Sequence, residues 1–125
     1  PMNQVIVGNG SDELLHLIGL LFLDGPNDNI IVGYPSFSRY DASAHLANAE
    51  LIRVPLNSDY AHDLQAMADA VNENTRLVYV ANPNNPTGTI VTKAEFDAFL
   101  DRIPERVMVI LDEAYYEFAA DQTEY

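Results

Sequence analysis

Apolar positions along the chain fall into two patterns. Four short aliphatic runs, Asn29 to Val32, Glu50 to Val54, Leu77 to Ala81 and Val107 to Leu111, each stop at Gly, Pro, Asn or Asp and predict buried strands. Between and before them, Asp12 to Leu23, Ser38 to Ala49, Asp63 to Val71 and Lys93 to Leu100 carry helical spacing. In the first of these, Leu14, Leu17, Ile18, Leu21 and Phe22 predict one buried face, and Asp24-Gly25-Pro26 predicts the helix end. Thr92-Lys93-Ala94-Glu95 reads as a capping box, in which hydroxyl and carboxylate satisfy reciprocal backbone amides. Gly33-Tyr34-Pro35-Ser36 breaks the chain after a strand, where a turn at the sheet edge is expected. Strands alternating with helices predict an α/β fold, a mostly parallel sheet with helices on both faces. There is no internal repeat and no low-complexity tract.

Composition narrows the function classes. With 125 residues, 48% of them hydrophobic, the chain has the material for one small domain with a core. A formal charge of -13 disfavours general binding to nucleic acid or to anionic membranes, so any bound anion has to be held locally. The apolar stretch from Leu14 to Leu23 is broken by His16 and Gly19 and is too short to span a bilayer. With no cysteine there are no disulfides or thiolate metal sites, which agrees with a cytoplasmic location. The beginning, Pro1 to Val7, enters as strand or loop in mid-pattern, and Asp121 to Tyr125 reads as a connecting loop, so the chain is expected to be a piece of a longer protein.

Two segments concentrate the chemistry: Asn82-Pro83-Asn84-Asn85-Pro86-Thr87-Gly88, and Leu111-Asp112-Glu113-Ala114-Tyr115. Both follow predicted strands, so both emerge at carboxyl ends of one sheet, where open α/β folds bind ligands. An unpaired carboxylate at that edge is costly, so Asp112 needs a partner. It can cap the following loop, bind magnesium as the acidic end of a nucleotide-hydrolase strand, or pair with a protonated pyridine nitrogen. The magnesium reading requires a G-x-x-x-x-G-K-[ST] phosphate loop, which the chain lacks. Two prolines and a glycine fix the first segment and leave the amides of Asn84 and Asn85 to donate to a ligand oxygen.

Three further features are weaker. Gly8-Asn9-Gly10-Ser11-Asp12-Glu13 opens the first helix, whose free amides at Gly10, Ser11 and Asp12 favour a phosphate if the two carboxylates turn away. A dinucleotide fingerprint fails there, because Glu13 stands where its third glycine belongs. Phe37, in Tyr34-Pro35-Ser36-Phe37, can lie against a planar ligand or simply join the core. His16, His45 and His62 have no metal-ligand spacing and no predicted role.

In order and spacing, Gly10-Ser11-Asp12-Glu13, Tyr34-Pro35-Ser36-Phe37, Asn82 to Gly88 and Asp112-Glu113-Ala114-Tyr115 resemble the fold-type I, class I/II pyridoxal-phosphate aminotransferases, and most of all their histidinol-phosphate branch. The resemblance covers nearly the whole chain. It implies pyridoxal 5'-phosphate as cofactor, Asp112 on the pyridinium nitrogen, Asn85 and Tyr115 on the ring hydroxyl, and Phe37 stacked on the ring, where many relatives carry tyrosine. It also implies Gly10, Ser11 and Asp12 in the phosphate cup. Amino transfer between glutamate and a phosphorylated keto compound, a role in histidine biosynthesis, a homodimer with shared active sites, and small-molecule rather than nucleic-acid or membrane partners follow from the same resemblance.

The family's Schiff-base lysine belongs to a Ser-Lys segment that is expected beyond Tyr125, and Lys93, the one lysine, matches no catalytic position. Residues 1–125 are therefore expected to be part of the large domain, without the N-terminal arm, the substrate-binding arginine or the small domain, and inactive alone. The alternatives are an aromatic or aspartate-type aminotransferase, a related decarboxylase, or a non-catalytic α/β binding domain.

Overall fold

A computed structural model describes residues 1–121 and 125. The elements run α1 (Gly10–Phe22), β1 (Asn29–Tyr34), α2 (Arg39–Ala47), β2 (Glu50–Pro55), α3 (Leu64–Asp69), β3 (Thr75–Ala81), α4 (Lys93–Leu100) and β4 (Met108–Asp112). Short 3-10 turns lie at Met2–Gln4 and Tyr116–Phe118. The Met2–Gln4 turn stands where strand or loop was expected. The loop expected over Asp121 to Tyr125 falls in part outside the described residues.

All strand pairs are parallel, in the order β2-β1-β3-β4. The central strands β1 and β3 are buried on both sides, and this is why their sequences are apolar throughout instead of alternating. The pleat sends successive residues to opposite layers. Ile30, Val32, Leu77, Tyr79 and Ala81 pack with Leu15 of α1 and with Tyr40 and Ala44 of α2. On the other face, Ile31, Val78 and Val80 pack with Leu64 and Met67 of α3 and Phe99 of α4. Each fully buried aliphatic side chain of this kind contributes roughly 1.5–3 kcal/mol of transfer free energy.

From β1 the chain winds outward to β2, then returns past β1 to β3 and β4. Because parallel crossovers keep one hand, this reversal puts α2 on one face and α3 and α4 on the other. The loops leaving β1 and β3 diverge, which opens a crevice at the carboxyl ends of the strands.

Local signals account for most boundaries. Thr92 and Glu95 form the capping box at α4, with the Glu95 carboxylate accepting from the Thr92 amide at 2.7 Å. That bond and the Thr92 hydroxyl hold the Glu95 carboxyl below its usual range. Asp63 caps α3 by accepting from the Ala66 amide, and α2 stops two residues short of its predicted end because Asn48 turns left-handed at φ 55°.

The predicted face of α1 is corrected. Leu15 and Gly19 are its buried positions, whereas Leu17 and Leu21 are 41% and 75% exposed. A Cβ placed on Gly19 would lie 2.9 Å from that of Ser43, so the glycine lets α1 settle closely on α2 and turns Leu15 inward. Among the described residues no helix is long and apolar enough to cross a membrane.

Candidate functional site at the carboxyl ends of the strands

β3 and β4 end in register, Ala81 opposite Asp112, and the Asn82 amide donates to the Asp112 carbonyl at 2.9 Å. The two predicted segments therefore start side by side. Asn82 then closes the base of its own loop: its Nδ2 donates to the Val91 carbonyl, and its Oδ1 accepts from the Val91 amide, both at 3.0 Å. The Asn82-Pro83 and Asn85-Pro86 peptides are cis, and Gly88 takes a left-handed φ of 72° that few other residues tolerate.

Asn84 does not face a ligand, contrary to the sequence expectation. It is 2% exposed and its amide is used inside the protein. Oδ1 accepts from the Ser36 hydroxyl at 2.7 Å, while Nδ2 donates to the Thr87 hydroxyl at 2.8 Å and to the Pro35 carbonyl at 3.2 Å. Asn84 ties the loop after β3 to the loop after β1. The neighbouring Asn85 amide makes no side-chain hydrogen bond among the described residues and is the one left for a ligand.

Asp112 sits half-buried at the end of β4. Its Oδ1 accepts from the Ala114 amide at 3.1 Å, and its Oδ2 from the Tyr40 hydroxyl at 2.8 Å. Tyr40 is 1% exposed, stacked on Tyr79 with ring centroids 4.7 Å apart and planes at 10°, and edge-on to Phe37 at 5.7 Å. Burial first, then the Asp112 charge and hydrogen bond, push the Tyr40 phenol far above its ordinary range, so it keeps its proton and donates. Sequence reasoning missed Tyr40. Its placement one turn after Phe37 was the available signal.

Ser11, Phe37, Tyr40, Asn85, Asp112 and Tyr115 line one small pocket of about 70 Å³. It shares Pro83, Asn85 and Tyr115 with a groove of about 320 Å³ that runs toward Ile90 and Phe118. Five of the seven sequence-predicted site residues thus meet in one place. Gly10 and Asp12 do not line the pocket; they adjoin Ser11 at the start of α1. Gly10 has a left-handed φ of 72° with open space around it, so its backbone and not its size requires glycine. The carboxylates of this turn are engaged elsewhere: Asp12 pairs with Arg39 at 2.9 Å, and Glu13 accepts from the Asn9 amide at 2.6 Å. The Gly10 amide, expected in the phosphate cup, donates to the Gly8 carbonyl at 2.9 Å, whereas the amides of Ser11 and Asp12 that follow in the first turn have no acceptor within the helix.

A larger cavity, about 450 Å³, lies away from these loops between α3 and α4 and reaches His62 and Arg102. Arg102 is already paired with Asp69 at 2.6 Å. His62 is buried, its Nε2 donating to the Ala81 carbonyl at 3.1 Å. Among the described residues no group of His, Asp and Glu could hold a metal.

Residues 1–125 match the sequence profile described as aminotransferase class I and II. Histidinol-phosphate aminotransferase 2 of Carboxydothermus hydrogenoformans is 50% identical over 117 residues, covering 94% of this chain and 32% of that protein. An aromatic amino acid aminotransferase of Streptomyces avermitilis is 45% identical over 121 residues, covering 97% of this chain and 33% of that protein. The chain thus spans about a third of the length of these relatives. The crystal structure of histidinol-phosphate aminotransferase from Sinorhizobium meliloti, in complex with pyridoxal-5'-phosphate, superposes with a TM-score of 0.82 at 32% identity, over 88% of this chain and 30% of that one. Parallel sheet, strand-end loops and a profile match from the first residue to the last place the chain in the class I and II aminotransferase family.

Proposed function

We propose that residues 1–125 are the cofactor-holding part of the large domain of a pyridoxal-phosphate-dependent aminotransferase. The whole protein, on this reading, transfers an amino group in histidine biosynthesis between glutamate, which becomes 2-oxoglutarate, and a phosphorylated keto compound, which becomes histidinol phosphate. It works as a cytoplasmic homodimer. The observation that carries the reading is the meeting of Phe37, Asn85, Asp112 and Tyr115 around one pocket.

The donor set fits the cofactor. Asp112 offers a carboxylate whose two oxygens each keep a lone pair after accepting one protein hydrogen bond, which suits a protonated ring nitrogen. Among the described residues the Asn85 amide and the Tyr115 phenol carry no hydrogen bond, which leaves them for a ring oxygen. Phe37 gives an aromatic face that excludes water from one side. The α1 amides at Ser11 and Asp12 suit a phosphate, since both nearby carboxylates are tied to other partners. When bound, pyridoxal phosphate supplies an electron sink for the pair left at the substrate carbon. The chain's part is to hold the ring, keep its nitrogen protonated through Asp112, and fix its tilt. On this reading the lysine that moves protons at the substrate carbon is a residue other than Lys93, which stands in the first turn of α4.

Protein expressed from the full coding sequence tests this. It should bind pyridoxal phosphate, with a visible absorption band, and transfer amino groups from histidinol phosphate faster than from tyrosine or phenylalanine. The 45% identity to an aromatic amino acid aminotransferase supports the second reading, in which that order of substrates is reversed. A full-length protein that binds no pyridoxal phosphate would falsify both.

A further inference from the structure

The buried phenol of Tyr40, behind Asp112, has no role in the cofactor reading of the pocket. Tyr40 stands in the first turn of α2, packed face to face with Tyr79 of β3 and edge-on to Phe37, so its ring has little freedom to move. From that position its hydroxyl reaches the Asp112 Oδ2 at 2.8 Å, while the Ala114 amide holds Oδ1. Two donors on opposite oxygens fix the rotation of the carboxylate about its Cβ–Cγ bond. A hydrogen bond to a carboxylate also stabilises its ionised form and draws charge away from the ligand side. The phenol is buried and beside an anion, so it is a permanent donor and does not compete for the proton. The titratable groups around the pair are Tyr79 from β3 and Tyr115 from the loop after β4.

We propose that Tyr40 is a positioning residue that sets the orientation of the Asp112 carboxylate and the share of its charge that faces the pocket, and through these the proton affinity of the cofactor ring. This rests on the pyridoxal-phosphate reading of the pocket. Tyr40→Phe removes the donor and keeps the ring stack, so the fold is retained. Asp112 Oδ2 then loses its protein donor among the described residues, its charge falls more fully on the ring, and the carboxylate is free to rotate.

The test uses full-length protein loaded with pyridoxal phosphate and reads two quantities other than turnover. In Tyr40→Phe, the pH midpoint of the bound cofactor's visible band should rise by about half a unit or more. The cofactor dissociation constant should rise about three- to tenfold, because a carboxylate free to rotate meets the ring nitrogen in the bonding orientation only part of the time. Tyr79→Phe, which removes the neighbouring hydroxyl without touching Asp112, should leave both unchanged. An unshifted midpoint and dissociation constant in Tyr40→Phe overturn the proposal alone, as does an equal shift in Tyr79→Phe. A wild-type protein that shows no cofactor band overturns the aminotransferase reading, and this proposal with it.

Discussion

Gly33 and His62 approach so closely that a Cβ on Gly33 would fall 2.1 Å from the His62 Nδ1. The imidazole occupies the space beside the end of β1 while its other nitrogen donates to the last carbonyl of β3. One side chain from the segment before α3 thus touches both strands whose loops build the crevice. Gly33→Ala should therefore force the ring off Ala81 or push β1 aside. The expected cost is about 1–3 kcal/mol, the range for overpacking, seen as a lowered urea midpoint. A midpoint equal to that of the wild type would show that the contact can relax freely.

The same histidine gives stability a pH dependence. Burial lowers its pKa from 6.5 to about 4, with the hydrogen bond to Ala81 opposing the shift. The unfolded chain takes up a proton near pH 6.5 and the folded one only near pH 4, so this contribution is full above 6.5 and is lost as pH falls through that window. At about 1.4 kcal/mol per unit the loss amounts to about 3 kcal/mol. Urea titrations of wild type and His62→Gln between pH 7 and pH 4 should diverge in slope, the variant losing this part of the dependence.

The adjacent asparagines should separate by experiment. Asn84→Ala removes the part-buried hydrogen bonds that the buried Asn84 amide makes to the Ser36 hydroxyl, the Thr87 hydroxyl and the Pro35 carbonyl, so stability should fall by about 1–3 kcal/mol. Asn85→Ala should leave the unfolding midpoint nearly unchanged and weaken cofactor binding about three- to tenfold. Equilibrium unfolding and cofactor titration on the full-length variants read the two effects independently. Equal effects of both substitutions on unfolding would contradict the assignment.

Asp112→Asn keeps an acceptor for Tyr40 and for the Ala114 amide but loses the charge. The protein should fold, and turnover of the full-length enzyme should drop by at least about ten- to hundredfold, as for a lost charge-assisted hydrogen bond. Unchanged turnover would remove Asp112 from the mechanism.

What was legible in the chain follows the reach of the signal. Strand positions and the α4 cap were readable, because aliphatic runs and a Thr-x-x-Glu pattern act within a few residues. The inward side of α1 was not: Leu14, Leu15, Leu17, Ile18, Leu20 and Leu21 circle most of the helix, and only the approach of Ser43 to Gly19 selects a side. The strand-end position of Asp112 was likewise visible, but its bond to Tyr40 joins residues 72 positions apart and belongs to packing alone. Asn84 and Asn85 are identical by composition and neighbourhood. Which of them turns inward is decided by Ser36 and Pro35, from another loop.

The reciprocal pair between the Asn82 side chain and Val91 ties off a closed ring of backbone at the mouth of the sheet. Inside the ring Thr87 holds Asn84, and the Thr89 hydroxyl donates to the Tyr60 carbonyl at 2.7 Å, so the loop is also fastened to its surroundings from within. A designer who wishes to alter what the crevice accepts has Asn85 and Ile90, which line the groove and carry no side-chain hydrogen bond among the described residues, as places to vary chemistry while the frame that carries them stays still.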